Sequence, residues 1–166
     1  MQILAIDASS KASGVAVFDN QDLIHYDCYT AYSKDLIKRI KKMVLCIDEL
    51  LMKYPNIEKV ILEEVHPENN NTVNMQTQRA LMWLQGEIVI MLHDKYPKIK
   101  VEYVFPNQWR SLCGIHTGRG IKRASLKEKS IEFVNKKYNL NLTNDDISDA
   151  ICLGTSSILK NGISWE

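Results

Sequence analysis

Gln2-Ile3-Leu4-Ala5-Ile6-Asp7-Ala8 is the stretch on which the reading of this chain turns. Four apolar residues in succession read as a strand buried on both faces. The carboxylate of Asp7 closes that run, and an unpaired carboxylate in such a place costs several kcal/mol of desolvation. Turn initiation before Ser9-Ser10 is the plain alternative; a divalent cation is the strongest partner such a group can have. The pattern returns at Val60-Ile61-Leu62-Glu63-Glu64. Strand alternation sends Glu63 and Glu64 to opposite faces, so only one can join Asp7, and alternation alone does not choose. A third acidic group lies in Asn144-Asp145-Asp146-Ile147-Ser148-Asp149-Ala150-Ile151, the expected first turns of a helix with Asn144 as its N-cap. Acids are favoured in a first turn without any chemistry. Asp146 and Asp149, at i and i+3, are nevertheless turned only ~60° apart and can face one site. Clustered carboxylates supply the oxygen ligands that a hard cation such as Mg²⁺ prefers.

Working outward, Gln2–Ala8, Gly14–Asp19 and Leu23–Tyr29 read as three strands joined by short turns, an antiparallel meander. Ser33 is the expected N-cap of a helix carrying Leu36, Ile37, Ile40, Met43, Val44, Ile47, Leu50 and Leu51 to about Tyr54, with Lys38, Arg39, Lys41 and Lys42 on its opposite face. Strand Lys59–Val65 follows, then a polar loop, a long helix over Val73–Lys95 and strand Val101–Phe105. A helical turn at Pro106–Leu112 precedes a glycine-rich loop, and helices near Lys122–Tyr138 and Asp145–Leu159 end the chain. The order implies an α/β fold: a mixed five-stranded sheet, three antiparallel strands then parallel ones, flanked by helices on both faces.

The 166 residues suit one domain, 1–166, with a core that needs no disulfides. Cys28, Cys46, Cys113 and Cys152 show no zinc spacing and are expected to be reduced thiols, which places the protein in the cytoplasm. No apolar stretch suggests a signal peptide or a membrane span. The net charge of +1 hides an asymmetry. Residues 95–140 hold eleven Lys/Arg against three acids, a net of +8, and the remainder is −7. A basic flank beside an acidic cluster suits a polyanion held against metal ions, although a lysine-rich solvated face has the same composition.

The strand order, Ile3-Leu4-Ala5-Ile6-Asp7-Ala8-Ser9 with Gly14 downstream, Ile61-Leu62-Glu63-Glu64-Val65 and Asp146-Ile147-Ser148-Asp149-Ala150-Ile151 together resemble the RNase H-like superfamily. Within it the chain is similar to RuvC-type Holliday junction resolvases, especially divergent bacteriophage versions. The resemblance implies a homodimeric endonuclease that cuts four-way DNA junctions with two Mg²⁺ ions, Mn²⁺ being a possible substitute. It also implies that 5′-phosphate and 3′-hydroxyl ends are left. Carried across, the metal carboxylates are Asp7, Glu63, Asp146 and Asp149, with Asp7 bridging both ions. Basic residues assisting at the phosphate fall at Arg110 and at Lys127, for which Lys129 competes. The family's stacking aromatic falls at His66. Arg119, Lys122 and Arg123 lie in a loop that reads as a DNA contact or as a plain solvated turn.

Other readings stand beside this one. A ribonuclease acting on RNA–DNA hybrids shares the fold and metals, and a non-catalytic branched-DNA-binding module is a third class. An actin-like ATPase also opens on strand-Asp-x-Ser, but it repeats the sheet unit, and no second copy is present. Trp109 reads as core rather than as a base contact. The helix over 73–95 has little polar surface in its second half. Met82, Trp83, Ile90 and Met91 lie off the stripe of Leu81, Leu84, Ile88 and Leu92, which suggests a twofold dimer contact.

Overall fold

The computed structural model describes residues 1–65 and 75–162. β1 (Gln2–Asp7), β2 (Ala12–Asp19) and β3 (Asp22–Thr30) form the meander. α1 (Leu36–Lys53), β4 (Ile57–Glu63), α2 (Met75–Lys95) and β5 (Lys100–Val104) follow. α3 (Pro106–Leu112), α4 (Arg123–Tyr138) and α5 (Asp145–Lys160) complete the order. The sheet runs β3-β2-β1-β4-β5, antiparallel within the meander and parallel from β1 through β4 to β5. This is the mixed five-stranded arrangement expected. The start of the 73–95 helix falls partly outside the described residues.

Strand parity divides the core. Leu4, Ile6, Val15, Val17, Val60 and Leu62 face α1 and α2, where Met43, Ile47, Leu84 and Ile88 cover them. Ile3, Ala5, Ala16, Phe18 and Ile61 face the other way, beneath α3, α4 and α5. The same parity carries Asp7 and Glu63 to the second face, because each lies two residues beyond a member of that layer.

Two glycines let α5 approach the sheet. A Cβ on Gly14 would stand 1.9 Å from the Asp146 carbonyl oxygen, and one on Gly154 would stand 2.3 Å from the Phe18 ring. The first turn of α5 therefore rests directly on β2.

Three local expectations are corrected. The N-cap of α1 is Asp35, whose Oδ1 accepts from the amides of Ile37 at 2.8 Å and Lys38 at 3.3 Å. Ser33 instead accepts from the Asp35 amide at 3.2 Å. A carboxylate is favoured at a helix start by both hydrogen bonding and the macrodipole. Arg39 does not join the solvated face of α1 but turns inward to Ser10. Met91 belongs to the core at 9% exposure, leaving Met82, Trp83 and Ile90 as the exposed residues of the outer stripe.

Candidate active site

Asp7, Glu63, Asp146 and Asp149 line one small cavity of about 80 Å³, together with Asp145, Arg110, Arg123 and Lys127. β1 and β4 deliver the first two side by side: Ile6 pairs with Leu62 in parallel register, so the next residues leave the sheet at the same edge. α5 delivers the others. Asn144 caps it, Oδ1 accepting from the Ile147 amide at 2.9 Å, and the Ser148 hydroxyl donates to the Asn144 carbonyl at 3.0 Å.

Glu63 is held from behind. Trp109, only 1% exposed, donates its indole Nε1–H to Glu63 Oε2 at 2.7 Å, and Arg110 lies over the Trp109 ring with its Cζ 4.5 Å from the centroid. Trp109 is thus core, as its composition suggested, but it also orients a carboxylate 46 residues away. Glu64 sits beyond the end of β4, where its amide donates to the Val104 carbonyl at 2.9 Å. Its residue lines a neighbouring cleft and is absent from the lining of the small cavity.

Burial is the first cause of every carboxyl shift here, ahead of mutual repulsion. Asp7 is pushed well above the ordinary aspartate value by burial, then by Asp149, Glu63, Asp146 and Asp145. Asp149 is raised to about 6 by burial, against the pull of Ser130 and Arg110. Glu63 is raised by burial, against the indole donor and the two arginines. Asp146 is raised by burial and by Asp145, against Lys127 and Arg123.

The basic candidates separate clearly. Lys127 pairs with Asp145 at the cavity, whereas Lys129 is not among its lining residues. Helical spacing could have found this, since Lys127, Ser130 and Val134 share the inward face of α4. Arg123 borders both the cavity and the neighbouring cleft. Arg119 and Lys122 are exposed and line neither. His66 lies outside the described residues.

Among the described residues no three His, Cys, Asp or Glu side chains are set close enough to hold a metal ion as they stand. The donor set nevertheless fits one. Five carboxylates meet three cations around the cavity. Asp149 Oδ1 is buried without a hydrogen-bond partner, and Arg110 Nε is likewise unpartnered. A cluster of five carboxylates with an orphaned, buried carboxylate oxygen offers the oxygen donors that a hard divalent cation takes.

The sequence matches no protein-family model and none of the curated proteins. Solved structures do match. RuvC of T. thermophilus in complex with a Holliday junction substrate superposes with a TM-score of 0.76 at 14% identity, over 98% of this chain and 97% of that one. A second Thermus thermophilus RuvC structure gives 0.74 at 16% identity, over 98% and 96%. The yeast mitochondrial Holliday junction resolvase gives 0.61 at 10%, over 96% and 80%. At these identities the likeness defines the fold, which is the RNase H-like fold in its RuvC arrangement.

Proposed function

We propose that the chain is a metal-dependent, structure-selective DNA endonuclease that hydrolyses phosphodiester bonds in four-way junctions, acting as one nuclease domain. The observation that carries this reading is the gathering of Asp7, Glu63, Asp146 and Asp149 around one cavity beside Arg110, Arg123 and Lys127. Its support from outside the chain is a fold shared over nearly full length with a protein solved on a Holliday junction.

Asp7, Glu63, Asp146 and Asp149 would hold Mg²⁺, or Mn²⁺ in its place. Bound there, the cation would supply Lewis-acid activation of water and of the phosphate. The chain's own groups then have separable tasks. Lys127 and Arg110, both at the cavity, neutralise charge developing on the phosphate. Trp109 fixes the Glu63 carboxylate so that no reorganisation is needed during reaction. Asp145 keeps Lys127 at the cavity mouth before substrate arrives. The products are a 5′-phosphate and a 3′-hydroxyl.

Paired cuts across a nearly twofold junction call for two sites. We assign the second to another copy of the chain, docked through the outer face of α2. Met82 is 60% exposed, Trp83 48% and Ile90 57%, and with Ile37 and Leu45 of α1 they line an apolar groove of about 630 Å³. Contiguous exposed apolar surface of this kind marks an interface.

The test is purified protein with Mg²⁺ on an end-labelled four-way junction, beside fork, duplex and RNA–DNA hybrid controls. Symmetric paired cuts in the junction are expected, and they should vanish in EDTA. Cleavage of the hybrid alone would make the protein a ribonuclease instead.

A further inference from the structure

The carboxylate cavity opens sideways into a larger polar cleft of about 510 Å³, and the two share Asp7, Glu63, Asp146 and Arg123 in their walls. The far wall of that cleft is built from the β1–β2 turn, the start of α1 and the first turns of α2, and it carries Lys11 and Arg39. Neither residue was singled out by the sequence, where Arg39 read as part of a solvated helix face.

Arg39 is half-buried and fixed by neutral oxygens only. Its Nε–H donates to Ser10 Oγ at 3.4 Å, and Nη1 donates to the carbonyls of Ser33 at 2.7 Å and Lys34 at 3.1 Å. No carboxylate lies within ion-pair distance of it among the described residues. Its Nη1 contacts are solvent-exposed, so the guanidinium is held in place by neutral acceptors while its charge stays accessible to a ligand. The turn that presents it is itself locked. The Ser13 hydroxyl donates to the Ser9 carbonyl at 2.7 Å, and the Ser9 amide donates to Ser13 Oγ at 2.9 Å. Lys11 stands exposed on that turn, its side chain in no ion pair among the described residues.

We infer that Arg39 and Lys11 form a phosphate-binding station for the strand being cut, holding its sugar-phosphate backbone on the side of the carboxylates opposite Lys127. The inference rests on the nuclease reading above and extends it with the course of the strand. The charges complement one another. The acidic floor repels a polyanion, so the backbone needs a cation on each side of the reacting phosphate, and Arg123 marks the border between the two sides. A planar guanidinium fixed in advance suits bidentate contact with phosphate oxygens and loses little freedom on binding.

The experiment is binding of a labelled four-way junction over a salt series in EDTA, with cleavage in Mg²⁺ measured alongside. Wild type is compared with Lys11→Gln, Arg39→Gln, Arg39→Lys and the double glutamine variant. Each lost phosphate contact should flatten the log–log salt slope by about 0.7 to 0.9, so the double variant should lose about 1.4 to 1.8 units. Arg39→Lys should retain the slope, because it retains the charge. A clamp that only held α1 to the turn would lower the urea midpoint of Arg39→Gln and leave both slopes alone. Lys11→Gln, on an exposed side chain, folds in either case. Wild-type slopes in Lys11→Gln and in the double variant, with wild type binding and cutting junctions, would overturn the station while sparing the nuclease. A wild type that binds no DNA would overturn both.

Discussion

Helices α2 and α5 pack on opposite faces of one sheet, yet α5 buries Ser148, Thr155, Ser156 and Ser157 while α2 leaves Met82, Trp83 and Ile90 about half exposed. Side-chain polarity does not set this order. Three of these hydroxyls return to their own helix or its cap, Ser148 to the Asn144 carbonyl, Thr155 to Ile151 and Ser156 to Leu153, while Ser157 Oγ is buried without a partner. Their small size and Gly154 let the helix lie close on β1 and β2, with α3 and α4 closing over it. α2 buries Leu84, Ile88, Met91 and Leu92 against α1 and the sheet, and among the described residues no further layer covers it. One helix is packed on both sides and carries Asp145, Asp146 and Asp149 to the cavity; the other presents an unfinished face. A buried, back-bonded helix is a rigid mount, which is what carboxylates need if they are to be set before substrate arrives.

The largest effect should come from breaking the mounted side. Asp7→Asn is expected to leave folding and junction binding intact and to lower Mg²⁺-dependent cleavage by roughly 10⁴-fold, the scale for removing one member of a catalytic set. Single-turnover cleavage measures it, and substantial activity in the variant would sink the site. Glu63→Gln should behave similarly, whereas Glu64→Gln, outside the lining of the small cavity, should reduce the rate modestly at most.

Breaking the unfinished side should change assembly rather than chemistry. Met82→Glu would place an unpaired carboxylate in the apolar contact between copies, a cost of about 3 kcal/mol or more. Sedimentation should show folded monomers that nick junctions without paired cutting. A wild type already monomeric at micromolar concentration, yet fully active in resolution, would refute the dimer.

A third substitution tests how closely α5 must lie. Gly14→Ala sets a methyl against the Asp146 backbone, where β2 and α5 cannot both keep their places. Overpacking of this kind costs about 1–3 kcal/mol. Because the displaced segment carries Asp146, cleavage should fall further than the urea midpoint alone would suggest. An active, fully stable variant would mean that the contact is soft.

Much of this was legible beforehand, for a physical reason that also sets the limit. Local periodicity reports which face a residue occupies, so the run ending in Asp7 and the Asp146/Asp149 spacing could be read directly, whereas Glu63 over Glu64 followed only from the family resemblance. Contacts between distant segments leave no local trace. The Trp109 indole reaches Glu63 across 46 residues, and Arg39 reaches Ser10 across 29. Ser33 and Asp35 are both good caps by type, and only backbone geometry separates them. The choice of Lys127 over Lys129 needed the register of α4, which its short inward stripe of Ser130 and Val134 marks faintly.

The smallest effect concerns how α2 is fastened to α1 at its closed end. Asp48, nearly buried on α1, accepts from Lys95 Nζ at 2.5 Å and from the Tyr96 hydroxyl at 2.8 Å, just where α2 ends. The Lys95 hydrogen bond is the main reason the Asp48 carboxyl lies below the ordinary aspartate value. A carboxyl depressed by folding contributes stability above its unfolded pKa of about 3.9, and loses that contribution as pH falls through the lower folded value. Lys95 is more than half exposed, so solvent screens the ion pair. The hydrogen bonds then set the scale, about 1 kcal/mol. Asp48→Asn should therefore lower the unfolding free energy at pH 7, measured in urea, by that amount, and the gap from wild type should close as the pH falls through and below the ordinary aspartate range. The rate of strand nicking should be unchanged, because the substitution leaves the mount of the carboxylates untouched; Asp48 and Lys95 line the α1–α2 groove, so any effect should fall on assembly. A gap that persisted in acid would assign the loss to packing, and a fall in nicking would mean that the two sides of the sheet are not mechanically separate.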